Sequence, residues 1–102
     1  MSSQHHFWFK YASMTIMMIV YIIQHSATNQ VYIGKTNNLQ RRLSDHNHNR
    51  QTATKRKSGK WILIYAEAYR NKTDADMREL RLKNHGRAKQ ELFKRCEKSF
   101  VA

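Results

Sequence analysis

The stretch of sequence that decides the fold is residues 31–46, VYIGKTNNLQRRLSDH. Its first three residues have the β-branched and aromatic character of a strand, and Gly34 after them is expected to let the chain turn. Asn37 is predicted to cap the helix that follows, and Gln40 three positions later completes a capping box. The stretch therefore predicts a strand, a turn and a basic helix in succession.

The helix after the turn carries an unusual set of residues on one face. The i, i+3, i+4, i+7 spacing brings together Leu39, Arg42, Leu43 and His46. An arginine and a histidine normally lie opposite the apolar face of such a helix rather than within it. We therefore expect this face to be shared between the core and an active site.

Length, composition and charge limit the class of protein. The 102 residues, 40% of them hydrophobic and 11% aromatic, predict one folded domain rather than a disordered chain. A net charge of +12 indicates a polyanionic partner, most often nucleic acid and less often a membrane surface. Charge alone does not separate an enzyme from a passive binder. Cys96 is the only cysteine, which excludes a disulfide framework and favours a reducing, cytoplasmic setting.

The N-terminal part of the chain is predicted to lie partly outside the domain. Residues 1–13 are interpreted as an extension and residues 14–102 as the domain itself. Aromatic residues of the extension either stack on the bases of a single strand or pack locally: Phe7, Trp8, Phe9 and Tyr11. The apolar run at residues 14–23 is too short for a membrane span, which needs about 20 residues. Its isoleucine- and valine-rich end favours a buried strand over a signal peptide, and we expect no membrane partner.

Two strands, at about residues 15–23 and 30–34, are predicted to form an antiparallel hairpin around a polar loop. Centring that loop makes Tyr21 and Tyr32 cross-strand neighbours on one face. Two phenols side by side near a glycine and a helix start fit either core packing or a site. The spacing alone leaves both explanations open.

The rest of the chain is predicted to add a third strand and two helices. Residues 61–66 have the character of a central strand, and Thr73 is predicted to cap a helix that runs to about residue 85. This helix is expected to lie between the sheet and another helix, because its apolar residues occupy two faces: Ala75 with Leu82, and Met77 with Leu80. The last helix has an inner stripe of Ala88, Leu92, Phe93 and Cys96. The predicted fold is α/β (α+β), a small three-stranded, mostly antiparallel sheet flanked by helices in the order β-β-α-β-α-α.

With its motifs in this order, the chain resembles the GIY-YIG nuclease superfamily over about residues 17–95. The two name-giving motifs match as Ile19-Val20-Tyr21 and Tyr32-Ile33-Gly34. The helix motif of the family matches at Asn38, Leu39, Arg42, Leu43 and His46. A later alanine–glutamate–lysine signature matches at Ala75, Glu79 and Lys83. The chain is also similar to the nuclease domain of the excinuclease C subunit, including Lys35, which makes DNA repair one setting for it.

The resemblance implies a DNA endonuclease that hydrolyses phosphodiester bonds with a single divalent cation, Mg²⁺ or in its place Mn²⁺. Glu79 is implied as the one protein ligand of the ion, and Tyr21 as the general base for the attacking water. Tyr32 and His46 are implied to position the water or to share its proton. Arg42 is implied to neutralise charge on the phosphate, where a rigid guanidinium is more effective than lysine.

Basic residues spread along the chain are candidates for contacting nucleic acid: Lys35, Arg41, Arg50, Lys55, Arg56, Lys57, Lys83, Arg87 and Lys89. For the residues within 47–60, a solvated loop is the alternative explanation. Lys83 also follows Glu79 by four positions, so a simple i,i+4 ion pair accounts for these two residues without any site.

Two other functions stay open from the sequence. One is a catalytically inactive, basic nucleic-acid-binding module on the same fold, and the other is an RNA-associated basic protein with chance motifs. The complete set of Tyr21, Tyr32, Arg42 and Glu79 favours the endonuclease. We expect DNA as the partner, with RNA and a protein partner left open, and a monomer or a weak dimer.

Overall fold

The computed structural model describes residues 17–48 and 58–101. The elements along these residues are β1 (Met18–His25), β2 (Val31–Thr36), α1 (Leu39–His48), β3 (Trp61–Tyr69), α2 (Lys72–Asn84) and α3 (Gly86–Arg95), followed by a 3₁₀ turn (Glu97–Ser99). This order and the antiparallel pairing of the strands confirm the predicted fold class. The predicted extension at residues 1–13 lies outside the described residues.

The central strand of the sheet is β1, because the strand order is β2-β1-β3 and both pairings are antiparallel. Its side chains at Val20, Ile22 and Ile23 are almost completely inaccessible to solvent. A strand covered on both faces needs such a continuous apolar run. The prediction that residues 61–66 form a central strand was wrong: β3 is an edge strand, irregularly paired opposite Ile22 and Ile23, and Leu63 on it is exposed.

The register of the hairpin differs from the predicted register by two residues. Tyr21 pairs with Gly34 and Ile23 pairs with Tyr32, so the two tyrosines share a face but lie diagonally. The reason is that β1 continues to His25, two residues further than predicted. The turn then closes through Asn29, whose positive φ of 60° is a conformation that asparagine tolerates better than most residues.

Both predicted helix caps were wrong by one or two positions. The side chain of Asn38, not that of Asn37, accepts a hydrogen bond from the backbone N–H of Arg41, at 3.1 Å. The predicted capping box is therefore absent. In the second helix, Asn71 is the N-cap, and its side chain accepts from the backbone N–H of Thr73 at 2.8 Å. In each case a polar residue slightly earlier or later can make the same bond to the first turn.

The core lies between the sheet and the pair α2 and α3. Buried residues of the two helices and the sheet form one cluster: Val20, Ile22, Ile33, Ile64, Ala75, Leu82 and Leu92. The predicted inner stripe of α3 is confirmed, since its remaining members pack against this cluster. The prediction that α2 is covered on two sides was wrong, because Met77 and Leu80 are 53% and 54% exposed.

Helix α1 lies over the opposite face of the sheet, where Tyr21 and Tyr32 project. The side chain of Asn47 attaches the end of α1 to β3: its Oδ1 accepts from the Trp61 N–H at 2.8 Å, and its Nδ2 donates to the Trp61 carbonyl at 3.3 Å. Within the two described ranges, no helix has the length and apolar character needed to cross a membrane.

Candidate active site

The candidate site starts from the direct pairing of Tyr21 with Gly34 across β1 and β2. A Cβ atom added to Gly34 would lie 2.5 Å from the Tyr21 hydroxyl and 2.7 Å from Cε1 of Tyr32. The absence of a side chain at position 34 therefore creates the space in which the two phenol rings lie, with centroids 6.2 Å apart. The expectation that Gly34 makes a turn was wrong, since it lies within β2 and its role is steric.

His46 reaches the two tyrosines from α1. Its Nε2 lies 3.3 Å from the Tyr21 hydroxyl, and its ring meets the Tyr32 ring edge-on at a centroid distance of 4.7 Å. The Trp61 ring lies 5.8 Å away, so aromatic groups surround the imidazole. Burial lowers the pKa of His46, and the charge of Arg42 lowers it further. The imidazole is therefore neutral at neutral pH and has a nitrogen lone pair to offer.

Arg42 lies one helical turn before His46, and the Tyr21 and Tyr32 hydroxyls raise the pKa of its guanidinium, so the group is close enough to interact with both phenols. Burial raises the pKa of Tyr21, and this outweighs the lowering by Arg42. Tyr21 therefore keeps its proton at neutral pH. In the tautomer that leaves Nε2 of His46 unprotonated, the Tyr21 hydroxyl donates to a neutral imidazole.

Glu79 approaches the same region from α2, and its side chain is partly buried, at 19% exposure. Its Oε2 lies 3.2 Å from Lys83, which confirms the simple i,i+4 ion pair. Its Oε1 lies 3.8 Å from the ammonium group of Lys35 on β2. The charge of Glu79 also contributes to the raised pKa of Tyr21, so the carboxylate is close enough to interact with the phenol. Glu79 thus pairs with two lysines and also acts electrostatically on Tyr21.

The donor set suits a hard divalent cation that keeps most of its water. Among the residues that the structure describes, no three histidine, cysteine, aspartate or glutamate side chains are grouped to hold a metal ion. Such a grouping is what a structural zinc site requires. Mg²⁺ instead binds through one or two carboxylates and keeps several waters. A single, partly shielded carboxylate at Glu79 fits that requirement.

Comparison with known proteins shows the family of the chain. A family model described as the GIY-YIG catalytic domain matches residues 17–92. The chain belongs to the GIY-YIG family. All the side chains described above come from elements within that match.

Two relatives are similar to this GIY-YIG chain. A UPF0213 protein of Desulfotalea psychrophila is 35% identical over 85 residues, which cover 81% of this chain and 76% of the relative. An uncharacterized protein of Acanthamoeba polyphaga mimivirus is 38% identical over 58 residues, which cover 53% of this chain and only 35% of the viral protein. No solved structure matches the chain significantly. Family membership supports, in general terms, a nuclease that acts on nucleic acid and depends on a divalent metal.

The predicted nucleic-acid contacts of the GIY-YIG chain are distributed unevenly. Arg41 and Arg42 line the same open depression of about 230 Å³, so Arg41 lies next to the arginine that interacts with the tyrosines. Arg87 approaches Glu91 at 3.9 Å, and the Lys89 ammonium lies 5.5 Å from the centre of the Phe93 ring. Both of these contacts are with residues of α3 itself. The predicted contacts at Arg50, Lys55, Arg56 and Lys57 lie outside the described residues.

Sequence reasoning missed residues that hold the site residues in place. Asp76, which contacts the Lys35 ammonium directly, lies three positions before Glu79 and so on the same side of α2. That spacing was a usable signal. Trp61, which packs against His46, was recognised only as part of a strand.

Proposed function

We propose that the protein is an endonuclease that hydrolyses the phosphodiester bonds of DNA with the help of one divalent cation. The observation that carries the proposal is the convergence of side chains from four separate elements: Tyr21, Tyr32, Arg42, His46 and Glu79. A phenol, a neutral imidazole, a guanidinium and a carboxylate are the groups that such a hydrolysis needs. A core explanation for the tyrosine pair leaves the nearby charged groups unexplained.

The proposed path for the proton runs from the attacking water through Tyr21 to His46. Because burial keeps Tyr21 protonated and His46 neutral, the phenol can pass its own proton to Nε2, 3.3 Å away, as it takes one from water. This order of proton transfers avoids a free phenolate, which a phenol with a raised pKa does not form readily. Tyr32, edge-on to the imidazole, would hold the ring and help to position the water.

The charged residues would act on the phosphate and on the cation. Arg42 would neutralise charge that builds up on the phosphate oxygens, since it is exposed beside the phenols. Glu79 would be the protein ligand of the cation, for which we propose Mg²⁺, with Mn²⁺ as a substitute. When bound, the ion would supply Lewis-acid activation of the scissile phosphate and its leaving oxygen.

DNA is the proposed substrate because the chain carries a net charge of +12 and Arg41 extends the basic surface from the site. The same electrostatics would accept RNA, and a test must include both. The alternative function is a binding module on the same fold that no longer cuts. It would share the charge and the family membership but would make no use of Glu79.

The test is a cleavage panel of supercoiled, branched and single-stranded DNA, with RNA, in Mg²⁺, Mn²⁺ or EDTA. We expect Glu79→Ala to abolish cleavage and Arg42→Ala to reduce it by about 10²- to 10³-fold, with DNA binding largely kept. The matched control is Glu91→Ala, which removes an exposed glutamate from a comparable i,i+4 pair with Arg87. If the wild type cuts no substrate with either metal, the binding module is the better explanation.

A further inference from the structure

Lys35 lies between two carboxylates that α2 presents on one side. Its ammonium group contacts Asp76 directly, whereas Oε1 of Glu79 lies 3.8 Å away, at the outer limit of an ion pair. Asp76 also accepts a hydrogen bond from Lys72 at 3.0 Å. The hydrogen bond from Lys35 is the main cause that lowers the pKa of Asp76, so this carboxylate is ionised and holds the ammonium at neutral pH.

We propose that Asp76 is a positioning residue that holds the Lys35 ammonium off Glu79 and so keeps Oε1 of Glu79 open for a divalent cation. The inference rests on the proposed role of Glu79. Oε2 of Glu79 is already engaged by Lys83 at 3.2 Å, which leaves Oε1 as the less occupied oxygen. An ammonium in full contact with Oε1 would compete with a metal ion for the same lone pairs.

The structure also indicates what happens when Asp76 loses its charge. Among the residues that the structure describes, Glu79 is then the remaining carboxylate paired with Lys35, and a shift of about 1 Å brings the ammonium from 3.8 Å into full hydrogen-bond contact with Oε1. Lysine reaches this distance easily because its stem is long and flexible. Asp76→Asn therefore turns Lys35 from a partner of Asp76 into a competitor of the metal ion for Oε1 of Glu79.

The probe is Mn²⁺ alone, and its affinity is measured from the electron paramagnetic resonance signal of the free ion. Binding at the site is defined as the part lost in Glu79→Gln. We expect Asp76→Asn to raise the dissociation constant about fivefold, the effect of one strengthened ion pair on a partly exposed site. Asp76→Glu, which keeps the charge, should bind as the wild type does.

Two double variants with equal charge separate positioning from general electrostatics. Lys35→Met with Asp76→Asn removes the competitor and should restore the wild-type affinity within about twofold. Lys72→Met with Asp76→Asn removes the same charges but leaves Lys35 free to move, and should stay weak. Lys72 is a suitable control because it pairs with the same carboxylate at 3.0 Å and its side chain is 70% exposed.

Several results would overturn the inference. Wild-type affinity in Asp76→Asn would show that Lys35 does not move onto Glu79. Equal rescue by both double variants would reduce the effect to net charge, and no rescue by Lys35→Met would make Asp76 itself a ligand. If the wild type binds Mn²⁺ no better than Glu79→Gln does, the proposed role of Glu79 fails, and the inference fails with it.

Discussion

Replacing Gly34 by alanine tests the geometry on which the proposed mechanism depends. The new methyl group would lie 2.5 Å from the Tyr21 hydroxyl, 2.6 Å from its Cζ and 2.7 Å from Cε1 of Tyr32, whereas ordinary contact begins at 3.4 Å. The two rings must therefore retreat by up to about 1 Å. Tyr21 is only 1% exposed, so it cannot retreat into solvent.

The expected cost has a structural part and a catalytic part. Overpacking of this kind usually destabilises a protein by about 1–3 kcal/mol. A displacement of about 1 Å at the reacting groups costs roughly 100-fold in rate, and here it also alters the 3.3 Å contact between Tyr21 and His46. Guanidinium denaturation measures the first part, and cleavage of supercoiled DNA at a temperature where both proteins are folded measures the second.

Gly86→Ala is the matched control, because a Cβ atom at the start of α3 would meet nothing within 4 Å. We expect this variant to keep full activity and stability. The reasoning is refuted if Gly34→Ala cuts DNA at the wild-type rate, or if its free energy of unfolding equals that of Gly86→Ala.

Two further predictions concern pH, and a third concerns the Tyr21 hydroxyl. Burial raises the pKa of Glu67, but hydrogen bonds from Tyr69, Arg78 and Tyr65 outweigh it and leave the pKa below 4.5. Glu67→Gln should therefore destabilise the fold by about 1–3 kcal/mol at neutral pH. The difference from wild type, followed by urea denaturation, should shrink as the pH falls below 4.5, and a constant difference would contradict this. At the site, His46 has a pKa below 6.5, so the rate of cleavage should fall on the acid side of that pKa as the imidazole protonates. Tyr21→Phe removes the hydroxyl of the proposed proton path and should lower the rate by about 10²-fold or more. A pH–rate profile measures the acid limb, and its persistence in His46→Gln would refute the role of the imidazole.

The sequence was sufficient for the parts of the fold that follow from short-range periodicity. The period of two in strands placed Tyr21 and Tyr32 on one face, and the helical period brought Arg42 and His46 to the same side of α1. The hairpin register was not accessible in this way, because it depended on the left-handed conformation of Asn29 and on where β1 ended. A polar loop contains several residues that can take that conformation.

Contacts between residues far apart in the chain were the second feature that the sequence could not predict. Lys35 and Asp76 are 41 positions apart, and only the packing of α2 against β2 brings them together. Strand order was similarly hidden: an apolar run such as that of β3 is compatible with a central or an edge position. The bulge opposite Ile22 and Ile23 and the exposed Leu63 identify it as an edge only once the sheet is assembled.

The opposite pKa shifts of Tyr21 and His46 have a consequence for how the proposed reaction would begin. Burial raises the pKa of Tyr21 and lowers that of His46, so the free protein holds a neutral donor beside a neutral acceptor. A phosphate bound at Arg42 would add negative charge and offset the guanidinium charge that now lowers the pKa of His46. The imidazole would then become a stronger base while the substrate is present. We therefore expect the His46 pKa, followed by NMR titration, to rise when a non-cleavable oligonucleotide binds. In Arg42→Ala, which lacks the charge that lowers it, the His46 pKa should already be higher in the free protein and should change little when the same ligand is added.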